Sequence, residues 1–225
     1  MNYEQHFQAS AEKRSAFWNN IGKLDPYVLS HVINPSFMGG PTWPSLRQAF
    51  VIIDTPESTI IASDGLSDPY DDYDSNPENQ TYNGLGFEVY VESPEKMTDH
   101  EVIKKSWQFA LVYQMSQFAA SNANIINMLK EYTYISTELY DVPVPEEFLN
   151  EAGRVGILLG LESKMVPKNL ELSIENILMV NIKLLTVAET KYIVKNGEEA
   201  RNEIAKKILA GKNPGHSYLE RPSLV

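Results

Sequence analysis

The chain has 225 residues, with 30 acidic side chains against 19 basic ones and no cysteine. Without cysteine there is no thiolate catalysis, no Cys-based zinc site, no iron–sulfur cluster and no disulfide framework. A net charge of −11 without any block of clustered Lys or Arg argues against nucleic acid as a partner. No apolar run approaches the roughly 20 residues that span a bilayer, and the first twenty residues, carrying Glu4, His6, Glu12, Lys13 and Arg14, contain no signal-peptide core. The expectation is a soluble, cytoplasmic protein with no membrane contact: a single domain over 1–225, in which an N-terminal helix over 1–24 precedes a main α+β body over 25–225.

In chain order, Phe7, Ala11, Trp18 and Ile21 recur at near-helical spacing and predict the first helix. Pro26, Pro35, Gly39, Gly40, Pro41 and Pro44 then break the chain into loop, with at most a short strand around Val28–Ile33. Two β-rich runs, Ala49–Asp54 and Thr59–Ser63, flank the turn residues Thr55-Pro56-Glu57-Ser58 and predict a hairpin. A Pro- and Asn-rich loop over Asp64–Asn83 leads to a strand over Leu85–Val91. In that strand Phe87, Val89 and Val91 alternate with Glu88, Tyr90 and Glu92, which reads as one apolar face and one wet face. Thr98-Asp99-His100-Glu101 has the form of a capping box for a helix of about 20 residues through Ile103, Trp107, Ala110, Leu111 and Phe118. Val155–Leu161 and Ile177–Leu185 read as buried strands, the second with a wetter face at Asn181 and Lys183. Ala200, Ile204 and Ile208 predict a last helix, closed by Gly211. Strands and helices mix without a βαβ repeat, so the predicted class is α+β, a mixed and largely antiparallel sheet flanked by helices.

The acidity is local. From Asp54 to Glu101 there are thirteen acids and one base, Lys96, so the rest of the chain is nearly neutral, with a basic lean over Lys191–Arg221. Such a segment steers a basic partner, or else simply keeps a loop solvated. Asp72, Asp74 and Asn76 match the start of a calcium loop, but Pro77 stands where Gly is required and Asn83 where Glu is required. His6, His31, His100 and His216 show no metal-ligand spacing, and there is no Walker loop, nucleophile elbow, H-E-x-x-H or G-x-G-x-x-G. The sequence therefore assigns no catalytic residue, no metal and no cofactor. The competing reading is a metal-dependent hydrolase whose site gathers His31, His100 or His216 with dispersed acids.

One constellation is more specific. Gly65-Leu66-Ser67-Asp68-Pro69-Tyr70, after the strand ending Ile60-Ile61-Ala62-Ser63, resembles the GLSD-x-[YF] motif of the suppressor of fused family. Gly84-Leu85-Gly86-Phe87-Glu88-Val89 is similar to that family's G-x-GFEL strand, and Gly39-Gly40-Pro41 to its GGP segment. Leu184-Leu185-Thr186-Val187 with Glu189 resembles its strand-to-helix step, and His216–Ser223 its closing Ser-x-x-x-RxS tail. The resemblance implies a non-enzymatic protein-binding fold; animal members hold a transcription factor inactive in Hedgehog signalling and carry a second C-terminal lobe, with the ligand gripped between the lobes as an added strand. The chain ends where a first lobe ends, so the expected type is the single-lobe bacterial one, an immunity or regulatory protein that occludes a partner such as a toxin. The resemblance places a partner-facing acid at Asp72. The predicted binding residues are Asp68, Tyr70, Asp71, Asp72, Tyr73 and Asp74, meeting a basic protein surface. Gly65, Leu66, Ser67, Gly84, Gly86, Phe87 and Glu88 are the expected fold-defining set, with Ser67 and Asp68 fixing the turn after the strand.

Overall fold

The structure is a computed structural model, and it describes residues 1–31, 33–122 and 124–225. Helix α1 (Tyr3–Ile21) opens the chain, with Asn2 and Gln5 closing a reciprocal capping box. Short strands β1 (Lys23–Leu24) and β2 (Leu29–Ser30) follow; β2 falls within the strand expected around Val28–Ile33, of which Val32 lies outside the described residues. The predicted hairpin forms as β3 (Ala49–Asp54) and β4 (Thr59–Ser63), and β5 (Phe87–Ser93) starts and ends two residues later than expected.

The helix expected after Thr98 is two helices. Asp99 caps α2 (His100–Ile103), its carboxylate accepting from Glu101 N and Val102 N, and Ser106 caps α3 (Trp107–Ser121). Two nearby residues both qualify as N-caps, and the aspartate takes the role assigned to Thr98. Helix α4 (Ile125–Tyr132) and strand β6 (Ile135–Leu139) carried no clear sequence period. Strands β7 (Val155–Leu159), β8 (Asn169–Glu171) and β9 (Asn176–Leu184) complete the sheet. Helix α5 (Val187–Leu209) is longer than the Ala200–Ile208 pattern implied, because a second capping box at Thr186 and Glu189 starts it early; Gly197, at φ 68°, bends it. Gly211 is not among the left-handed residues, and Ala210 caps α5 in helical geometry instead.

The strands make a nine-stranded sheet in the order β1-β3-β4-β5-β9-β7-β6, with β2 also on β3 and β8 also on β9. The β5–β9 pair is parallel and the rest are antiparallel, so the class is mixed α+β as expected. Alternation along the strands assigns the two faces. Phe50, Ile52, Ile61, Phe87, Val89, Val180 and Ile182 pack under Trp107, Leu111 and Met115 of α3. The opposite face is divided. Val51, Ile53, Ile60 and Tyr90 lie with Trp18 of α1, whereas Leu158 and Leu185 lie with Ile193, Ile204 and Ile208 of α5.

This double cover overturns both wet-face expectations. Glu88, Tyr90 and Glu92 of β5 and Asn181 and Lys183 of β9 are all buried, because α1 and the C-terminal segment close over that side. The stripe that α1 buries is likewise His6, Ser10, Arg14 and Trp18 rather than Phe7, Ala11 and Ile21. Buried polar groups need partners, and the sheet's second face supplies them in two networks.

Candidate functional site

The loop over Asp64–Asn83 begins inside the protein. Arg14 of α1 places Nε 2.6 Å from Asp64 Oδ1 and Nη2 2.5 Å from Asp68 Oδ1. Arg47 closes the square from the other side, with Nη1 2.9 Å from Asp64 Oδ2 and Nε 3.2 Å from Asp68 Oδ2. Ser45 Oγ donates to Asp68 Oδ2 at 3.1 Å, and Arg14 Nη1 donates to Ser67 Oγ at 3.2 Å. Burial works against the Arg14 charge, but Asp64 and Asp68 more than offset it and hold its pKa above the ordinary value. Burial likewise opposes charge on Asp64, yet Arg14 and Arg47 hold its carboxyl below the usual range.

Glu88 sits beneath this square. It accepts from Gly65 N at 3.1 Å, Ser67 N at 2.9 Å, Ser67 Oγ at 2.6 Å and Ser63 Oγ at 2.5 Å. Burial pushes the Glu88 carboxyl up, against Arg14 and the serine hydroxyls that favour its ionised form. The GLSD and GFE motifs are therefore two sides of one buried junction. Gly84 seals it: at φ 52°, a Cβ there would lie 2.4 Å from Leu66 O and 2.6 Å from Asp68 O. Asn83 adds Ile174 N and Glu175 N as donors to its Oδ1, tying the junction to the turn before β9.

The predicted binding residues thus separate. Asp68 is wholly buried in the arginine square, and Tyr73, expected exposed, is 7% exposed and packs on His6 at 5.0 Å between ring centroids. Neither presents a surface to a partner, because α1 occupies the space above them. Asp71, Asp72 and Asp74 are exposed and Tyr70 is half-buried. The tip they form is tethered. Tyr3 OH donates to Asp71 at 3.1 Å, Tyr3 N donates to Asp74 at 2.9 Å, and Asn76 and Asn79 both donate to Asp72. Those two amides hold the Asp72 carboxyl below its usual range.

Beside the tip lies a feature that sequence reasoning passed over. Ile33, Phe37, Met38 and Leu46 are 60%, 71%, 79% and 51% exposed within one folded loop. Asn34 pins that loop by donating to Leu46 O and accepting from Gln48 Nε2, and Asp71 N donates to Pro44 O at 3.0 Å. The signal was present as Phe37-Met38 in a Gly/Pro segment with no strand or helix period to bury them. Large apolar side chains grouped at a surface mark interaction sites.

The second network holds the C-terminal segment. Glu92 accepts from Ser163 Oγ at 2.8 Å and lies 3.0 Å from His216 Nε2. Asn181 Nδ2 donates to Gly215 O at 3.1 Å, Lys183 Nζ donates to His216 O, and Ser217 Oγ accepts from Leu184 N. Arg221 clasps Glu189 through Nη1 at 2.6 Å and Nη2 at 2.5 Å, the bidentate geometry that suits a guanidinium and a carboxylate. The strand-to-helix step and the RxS tail are so two halves of a clasp. The remaining histidines stand apart: His100 pairs with Asp25 at 3.0 Å, and His31 packs on Tyr113. Among the described residues no three His, Asp or Glu side chains gather as a metal site. Among the described residues no helix is long and apolar enough to cross a membrane.

No family model and no curated protein sequence matches the chain. Solved structures do. The chain is similar to a chain of the Sufu-Fu complex crystal structure at TM-score 0.59 and 12% identity, over 97% of this chain and 91% of that one. It is also similar to Drosophila Suppressor of Fused at TM-score 0.58 and 13% identity, over 97% of this chain and 51% of that one, so it spans about half of that protein's length. Across nine strands in mixed order, with the motif residues joined in two buried junctions, the chain carries the suppressor of fused-like fold.

Proposed function

We propose that the chain is a non-catalytic protein-binding module, a single unit over 1–225, acting by occlusion of its partner. One observation carries the reading: four exposed apolar side chains, Ile33, Phe37, Met38 and Leu46, belong to the loop whose Pro44 carbonyl accepts from Asp71 N of the acidic tip. Apolar anchors supply binding area, while the carboxylates steer and orient a basic surface. The similar chain from the Sufu-Fu complex supports a protein as the partner class. The finer reading is a cytoplasmic bacterial immunity or regulatory protein whose partner is a toxin with a basic surface.

The test is capture by the immobilised full-length chain of the protein encoded beside it, followed by calorimetric affinity at low and high salt. Binding should weaken with salt. It should fall about tenfold or more in Asp71→Lys/Asp72→Lys, and again in Phe37→Ser/Met38→Ser, as loss of an anchor costing over 1 kcal/mol does. An affinity indifferent to salt and to both double variants overturns the proposal.

A further inference from the structure

A cleft of about 410 Å³ opens on the C-terminal side of the protein, remote in sequence from the acidic tip. Lys183, Lys207, Lys212 and Arg221 line it, and among the described residues no aspartate or glutamate does. Four cations facing one hollow are unexpected in a chain of net charge −11. Two of them are already committed. Arg221 is clasped by Glu189, and Lys207 lies 2.8 Å from Glu203. The other two form no ion pair among the described residues. Lys212 is exposed, with only its carbonyl engaged, by Lys164 Nζ at 2.7 Å. Lys183 is wholly buried, donates to the His216 carbonyl, and lies 5.8 Å from the Tyr218 ring centroid. One backbone carbonyl satisfies only one of its three donors and none of its charge. A buried cation without a counter-ion is costly unless something else pairs with it.

We propose that this cleft is a binding site for a small organic phosphate, its phosphoryl group between Lys183 and Lys212 and its body against Tyr218 and Leu224. Lys212 and, once it takes up a proton, Lys183 are point charges that set no planar geometry, so they favour the ligand with the most concentrated charge. A phosphate carries about −1.5 to −2 at neutral pH, where a carboxylate carries one unit. The volume falls within the roughly 300–1,000 Å³ of small-molecule sites. Tyr218 and Leu224 give the apolar wall that such sites combine with a few placed charges.

The surroundings of Lys183 add a signature. Burial, with Arg221, lowers its ammonium to about 7, against the opposing pull of Glu189 and Glu92. The Tyr218 ring also faces it, while the His216 imidazole turns away to Glu92 and only its carbonyl meets Lys183. A bound phosphate holds the proton on Lys183, so binding above neutrality takes up a proton from buffer.

The experiment is calorimetric titration of the full chain with phenyl phosphate and with inorganic phosphate at constant ionic strength, in two buffers of different ionisation enthalpy at pH 8. Saturable binding of phenyl phosphate, tighter than that of inorganic phosphate and with proton uptake, is expected. Lys212→Glu, at an exposed position that the fold does not depend on, should weaken it at least tenfold. Lys183→Met should remove both binding and proton uptake. Absence of saturable binding, equal affinity for the two probes, or unchanged affinity in Lys212→Glu would each overturn the proposal.

Discussion

Asp64 and Asp68 at the root of the acidic loop, and Asp71, Asp72 and Asp74 at its tip, are neighbours in sequence with identical chemistry. The root is enclosed by Arg14 and Arg47 and roofed by α1, whereas the carboxylates of the tip meet Tyr3 and two asparagine amides and face water. A carboxylate between two guanidinium groups in a low-dielectric interior belongs to the stability of the fold. One in water contributes little to stability and stays available to a partner. Negative charge in one segment therefore sits in two environments, one inside the fold and one in water, and position relative to α1 decides which.

The largest effect should come from breaking the root. Arg14→Met strips both Asp64 and Asp68 of their buried partner and should cost about 3–5 kcal/mol in urea unfolding, the usual cost of orphaning a buried charge. A loss near that of a surface substitution would show that Arg47 alone suffices. Gly84→Ala tests the same junction without touching charge. A left-handed residue gaining a Cβ costs about 1–3 kcal/mol before any clash, and the Leu66 and Asp68 carbonyls leave no room, so its thermal midpoint should fall clearly. An unaltered melt would mean that the GLSD turn can shift away.

Acid should lower stability through the buried carboxylates of the two networks rather than through the tip. Asp64 and Glu189 are held below their ordinary values of 3.8 and 4.5, so the stability they contribute is complete above those values and is lost as pH falls through the depressed ones. Glu88, raised, works in the opposite direction. Chemical denaturation at a series of pH values should show wild-type stability declining below about pH 4, with a shallower decline in Arg14→Met. The smallest effect belongs to the tip. Asp71→Lys/Asp72→Lys should lie within about 0.5 kcal/mol of wild type in stability, while changing salt-dependent capture of the partner. A large stability loss there would erase the distinction between the two regions.

Phe87, Val89 and Val91 were legible as an inward face because apolar alternation has one physical meaning. Glu88, Glu92, Asn181 and Lys183 were not, because polarity on a strand signals water only when nothing covers that face. The GLSD, GFE and RxS motifs were visible as patterns, but Arg14, which joins the first two, lies some fifty residues upstream on a helix whose apolar spacing pointed elsewhere. The histidines named for a hydrolase stay apart, each with its own partner. Phe37 and Met38 were visible as residues and invisible as a surface.

Local chemistry by itself determined the strands β3 to β5, the capped helix starts, the concentration of charge before Glu101 and the lack of cysteine chemistry, since each rests on neighbours a few residues apart. Only the tertiary structure decided that α1 roofs the acidic root, that the C-terminal segment clasps Glu92, Lys183 and Glu189, and that four cations share one hollow. Those outcomes depend on residues from distant segments meeting across a sheet with both faces covered, and burial of that kind has no periodicity for a sequence to display.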